Sequence, residues 1–92
     1  MLRWYPVYSH PYGPLPDPWY VVGNALVFRA DDHPDGPSSL PCFRLLDGQA
    51  YSTEHHTAGA SDLPWYDMRG SMVYPAAGHP EGVSDTPWYQ AR

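Results

Sequence analysis

His10, His33, His56 and His79 stand 23 residues apart each time, and so do Gly13, Gly36, Gly59 and Gly82. Pro18, Pro41, Pro64 and Pro87 keep the same interval. Each Pro is followed by Trp19, Cys42, Trp65 or Trp88, and then by Tyr20, Phe43, Tyr66 or Tyr89. A further aromatic phase holds Tyr5, Phe28, Tyr51 and Tyr74. Residues as rare as His and Trp do not align by chance. A unit this short cannot bury an apolar face alone and must stack on its neighbours.

The unit runs Pro, Trp, aromatic, a turn, a second strand ending in an aromatic, then His-Pro-x-Gly. Residues 18–40 and 64–86 are full copies. Residues 41–63 are a degenerate copy, with Cys42 in the Trp phase, Thr57 after His56 and Ala60 where 18–40 has Pro37. Residues 87–92 supply the front six positions of a fourth unit and 1–17 the remaining 17. This arithmetic predicts a single repeat domain over 1–92 whose first and last strands pair. Such a ring leaves no open sheet edge.

Each unit reads as a β-hairpin. Trp19-Tyr20-Val21-Val22 and Leu26-Val27-Phe28 are β-branched and aromatic runs of strand length. Gly23-Asn24 is expected as the tight turn between them, with Asp47-Gly48 and Arg69-Gly70-Ser71 in later copies. No segment has a helical period. The fold class expected is all-β: four hairpins around a pseudo-four-fold axis, as a small barrel or a miniature propeller. Alternation puts Tyr20, Phe43, Tyr66 and Tyr89 on the core face and Trp19 on the wetter one. The loops between hairpins are long, and their Pro and Gly content stiffens them.

The 23-residue hairpin period is similar to that of the membrane-occupation repeat family. That family is built on Tyr-x-Gly, whereas this chain turns on Pro-Trp-Tyr and His-Pro-x-Gly, so no function is carried over.

Ten acidic residues against five Arg give a formal charge of −5, which argues against nucleic acid and against an anionic membrane surface. No apolar run approaches the roughly 20 residues of a membrane helix. No leader segment is evident, so the cytoplasm is the compartment expected by default. Cys42 is the sole cysteine, which excludes an internal disulfide.

The four phase-locked His allow two readings. They could meet on the axis and bind a divalent transition ion. The favoured reading is structural: each donates a side-chain hydrogen bond that pins its own loop, and Gly13, Gly36, Gly59 and Gly82 supply the positive φ those loops need. The aromatics Trp19, Trp65, Trp88, Tyr20, Tyr66 and Tyr89 are the ligand-binding candidates, because such rings stack on sugars and peptides. Packing is the alternative favoured for the Trp phase. No constellation sets one copy apart as catalytic, and no cofactor is implied. The expected function is a non-enzymatic binding or structural module, multivalent for carbohydrate or peptide through repeated aromatics. A metal-binding ring on the four His is the alternative. Another is an assembly tile of a larger bacterial or phage structure, a source suggested by a chain rich in Ala, Gly, Pro, Arg and Asp without Lys.

Overall fold

A computed structural model describes all residues, 1–92. It is all-β. The strands are β1 (Leu2–Pro6), β2 (Tyr20–Gly23), β3 (Leu26–Arg29), β4 (Phe43–Leu46), β5 (Gln49–Ser52), β6 (Tyr66–Arg69), β7 (Met72–Pro75) and β8 (Tyr89–Ala91). They pair antiparallel in sequence order and close as an eight-stranded barrel, so the propeller alternative falls away. Closure runs through β1 and β8, with Trp4 opposite Ala91 and Pro6 opposite Tyr89. Arg3 and Arg92 exchange backbone hydrogen bonds of 2.8 and 2.9 Å just beyond that pair. Every strand therefore has two partners.

The turns differ in one detail from the sequence expectation. The first reversal is at Asn24-Ala25 (φ 54° and 62°), one residue later than Gly23-Asn24, and Gly23 closes β2 opposite Leu26. Asp47-Gly48 (φ 50° and 76°) forms the matching turn of the next hairpin. Positive φ at both central residues gives the backbone twist that hairpin strands need. The strands also begin two residues after Pro18, Pro41, Pro64 and Pro87, so those prolines belong to the loops.

Tyr20, Phe43, Tyr66 and Tyr89 point inward and form a closed pinwheel, with neighbouring ring centroids 5.5–5.7 Å apart, all edge-to-face. Opposite them in register stand Trp4, Val27, Ala50 and Val73, four repeat-equivalent residues on the same inner face. Only Trp4 is large. Its ring lies 5.7, 6.4, 5.8 and 5.9 Å from the four pinwheel rings, and it is 1% exposed. Near-equal distances to all four place the indole on the barrel axis. Eight strands enclose a space just wide enough for side chains to fill, and here one Trp fills the middle of it. Val22, Leu45, Met68 and Ala91 pack against this core from the inner face towards the hairpin turns.

The loops are as regular as the strands. The His amides bond Val7, Ala30, Thr53 and Ala76 carbonyls, and each Gly amide of the 13, 36, 59 and 82 set bonds the His carbonyl three residues earlier. Those four glycines have φ between 71° and 81°. Residues with a Cβ are disfavoured there, which explains a phase held without exception.

Candidate functional site

At the loop end of the barrel the His and Trp phases interleave into one ring. Trp19 lies 4.7 Å from His10 and 5.2 Å from His33, between ring centroids. Trp65 lies 4.4 Å from His56 and 5.3 Å from His79, and Trp88 lies 4.6 Å from His79 and 5.1 Å from His10. The order around the axis is His10, Trp19, His33, Cys42, His56, Trp65, His79, Trp88. Cys42 is the one place where an indole is missing.

Each imidazole is held at both nitrogens where the unit is intact. Nδ1 of His10, His33, His56 and His79 accepts the backbone N–H of Tyr12, Asp35, Ala58 and Glu81 at 3.0–3.1 Å. A neutral imidazole that accepts at Nδ1 carries its proton on Nε2. Nε2–H therefore donates to the hydroxyl of Tyr89 from His10 (3.2 Å), of Tyr20 from His33 (3.1 Å) and of Tyr66 from His79 (3.3 Å). The loop contact thus runs opposite to a simple donated bond: the ring nitrogen receives the loop's amide, and its other nitrogen ties the loop to the core. His56 faces Phe43 at 5.1 Å, which has no hydroxyl, and its Nε2 has no side-chain partner.

Burial, with the neighbouring His79 second, lowers His10 to about 4. Burial lowers His33 to about 4 as well, and lowers His56 and His79. The geometry gives the same direction: a proton on Nδ1 would confront the amide that this nitrogen accepts. Burial also raises the Tyr20, Tyr66 and Tyr89 hydroxyls well above the ordinary phenol range.

The predicted ligand-binding aromatics are placed inside the protein. Tyr20, Tyr66 and Tyr89 are core residues, and Trp19 is 9% exposed. Trp65 and Trp88 are half-buried, edge-on to two imidazoles each. The loops fold back over the strand face that alternation left to solvent, so these six side chains do not form an open stacking platform. The imidazoles are separated by indoles or, between His33 and His56, by Cys42, and no three His, Cys, Asp or Glu side chains come together in a way that could hold a metal ion. Cys42 is buried, its thiol pushed up to about 11 chiefly by burial. A thiol so protonated is a poor nucleophile.

Two aromatics that leave the repeat reach the surface at this end. Tyr8 and Tyr12 are 73% and 70% exposed. Their repeat-equivalents are Asp31, Glu54 and Ala77, and Asp35, Ala58 and Glu81. The surface also carries two grooves. One, of about 410 Å³, is lined by Pro18, Val21, Arg29, Asp31, Asp32 and Ser38. The other, of about 500 Å³, is lined by Pro41, Arg44, Ser52, Glu54, His55 and Ser61, which occupy the equivalent positions one unit on. In the unit that follows, Gly78 fits against the Leu63 and Pro64 carbonyls so closely that an added Cβ would lie 2.6 Å from one of them, and no such groove opens there. Sequence reasoning passed over Tyr8 and Tyr12, because a repeat search weights what recurs; their signal was the departure itself. Comparison with protein-family models, with curated proteins and with solved structures returned no match.

Proposed function

We propose that the protein is a non-enzymatic binding module, a rigid barrel that displays its loop end to one macromolecular ligand, carbohydrate or peptide. The observation that carries this reading is a division of labour. The phase-keeping His, Gly, Trp and pinwheel positions serve the core and the loop pins, while the two most exposed aromatics, Tyr8 and Tyr12, depart from the repeat. A scaffold held rigid by repetition limits the conformational entropy lost on binding. The non-enzymatic part is supported by the four phase-locked imidazoles, whose Nδ1 atoms each accept a loop amide, and by a buried thiol held protonated.

The repeated aromatics would have given several equal sites. Binding through the departing residues gives one. Isothermal titration of the chain with short oligosaccharides and short peptides should yield a single equivalent per chain. The variant Tyr8→Ala/Tyr12→Ala should lose that binding and keep its melting temperature. Several equivalents, or binding that survives this variant, would return the site to the Trp phase. Absence of binding across both ligand classes would leave a structural role instead.

A further inference from the structure

We propose that the groove lined by Pro18, Phe28, Arg29, Asp31 and Asp32 binds a small zwitterion, a free α-amino acid, with its ammonium group on the Pro18 carbonyl and its carboxylate on the Arg29 guanidinium. The site lies apart from Tyr8 and Tyr12 and does not rest on their role. Its first support is a hydrogen bond that three units make and one leaves open. The Pro41 carbonyl accepts the Thr53 hydroxyl, the Pro64 carbonyl accepts the Gly78 N–H at 2.8 Å, and the Pro87 carbonyl accepts the Ser9 hydroxyl. The equivalent Pro18 carbonyl has no partner in the chain. Thr53 is the repeat-equivalent of Ala30, and Gly78 and Ser9 are those of Asp32, yet neither Ala30 nor Asp32 donates to Pro18. Pro18, Ala30 and Asp32 line one groove, so the open carbonyl faces it.

The equivalent groove one unit on shows what is absent. There Thr53 caps the Pro41 carbonyl, the Arg44 guanidinium carbon lies 5.0 Å from the Tyr51 ring centroid, and His55 stands 3.7 Å from the Glu54 carboxylate. In the first groove these three places hold Ala30, Val21 and Asp32. Each exchange removes a donor or a cation. Phe28 is the one member of its aromatic phase without a guanidinium over its ring, since Arg69 covers Tyr74 at 4.4 Å and Arg92 covers Tyr5 at 3.9 Å. Asp31 and Asp32 have no ion pair. An ammonium group supplies all that is absent: N–H donors for the carbonyl and carboxylates, and positive charge beside the ring. The other end of the ligand meets Arg29, which stands where the next unit has Ser52. Both residues hold their own loop, Ser52 Oγ–H on the Gly59 carbonyl at 2.8 Å and Arg29 Nε–H on the Gly36 carbonyl at 3.0 Å. Arg29 adds two Nη groups that no carboxylate of the chain pairs with, a planar donor set suited to a carboxylate. Arg3 lines the same groove, so two Arg and two Asp leave it without net charge and favour a ligand that carries both signs. Its volume of about 410 Å³ is that of a small-molecule site.

The test is NMR of the isotopically labelled full chain titrated with glycine, N,N,N-trimethylglycine and glucose. Glycine should shift the amides of Trp19, Asp31 and Asp32 and the Nε–H of Arg29, and leave those of Cys42, Glu54 and His55 in place. Trimethylglycine keeps both charges but has no N–H, and should bind about 10-fold more weakly. Glucose should shift none of these signals. Ala30→Thr sets a hydroxyl where Thr53 has one, and Asp32→Ser copies Ser9. Each should cap the Pro18 carbonyl from within and weaken glycine about 10-fold or more, with no fall in melting temperature for the exposed Asp32→Ser. Arg29→Gln should weaken glycine and trimethylglycine alike. The Tyr8→Ala/Tyr12→Ala variant should bind glycine as the parent does, so the groove and the loop end fail separately. Equal binding of glycine and trimethylglycine, or glycine binding unchanged by Asp32→Ser, overturns the proposal. So does a titration in which glycine leaves the groove amides unmoved, or in which glucose moves them as glycine does.

Discussion

In the loop layer each intact unit contributes the same pair, a histidine and an indole, and the contributions tile a ring around the axis. In the strand layer beneath, the four equivalent positions hold Trp4, Val27, Ala50 and Val73, and a single side chain fills the middle for all of them. The difference follows from distance to the axis. Away from it there is room for a large group from every unit. On it, four copies of one bulky group would collide and four small ones would leave a void, and protein interiors tolerate neither. A four-fold repeat that closes on itself must therefore break its symmetry at the centre. The periphery can lose a member more cheaply: Cys42 replaces one indole, and the adjoining His33 and His56 keep their loop bonds.

The largest effect should come from the centre. Trp4→Ala should destabilise by about 3–5 kcal/mol in urea titrations, as buried large-to-small changes do. That is a large share of the roughly 5–15 kcal/mol a domain has. Trp65→Ala, half-buried in the loop ring, should lose less. Equal losses would erase the distinction between the layers.

Acid should attack the other layer. Unfolded His takes up its proton near 6.5, whereas His10 and His33 resist until about 4 in the fold. The unfolded state therefore binds more protons in that window, so stability is full above the unfolded pKa and falls as pH drops from 6.5 towards 4. The urea midpoint should drop across this interval, and His33→Ala should flatten the drop. A midpoint independent of pH there would contradict neutral, buried imidazoles.

Removing one pin sharpens the comparison within the ring. His33→Ala leaves the Asp35 amide and the Tyr20 hydroxyl without their partner and should cost about 1–3 kcal/mol. His56→Ala should cost less, because Phe43 offers no hydroxyl to strand. The smallest effect belongs to an exposed side chain: Tyr12→Ala should change stability by no more than about 0.5 kcal/mol.

The sequence carried the closure of the ring and the core face of the strands, because both are written as phase. It also carried the positions of the loop glycines, since positive φ at an invariant place admits little else. The burial of the Trp phase was harder to read. Alternation assigns Trp19 to the outer face, and only the loop folding back over it, tied from His10 and His33, removes it from solvent. The first turn was misplaced by one residue because Asn24 and Ala25 adopt positive φ in place of a glycine. Trp4 was the least visible. A repeat search discounts the residue that does not recur, and the axis is where a repeat cannot recur.

The position of that indole can be moved. Val27 is the repeat-equivalent of Trp4 in the next unit, 0% exposed and opposite Phe43 in register. If the barrel requires one large ring on its axis from any one unit, Trp4→Val should lower the melting temperature sharply. Adding Val27→Trp to that variant should then restore most of the loss, whereas Val27→Trp alone, which places two indoles at the centre, should destabilise. A double variant no more stable than Trp4→Val would contradict an axis filled once for all four units.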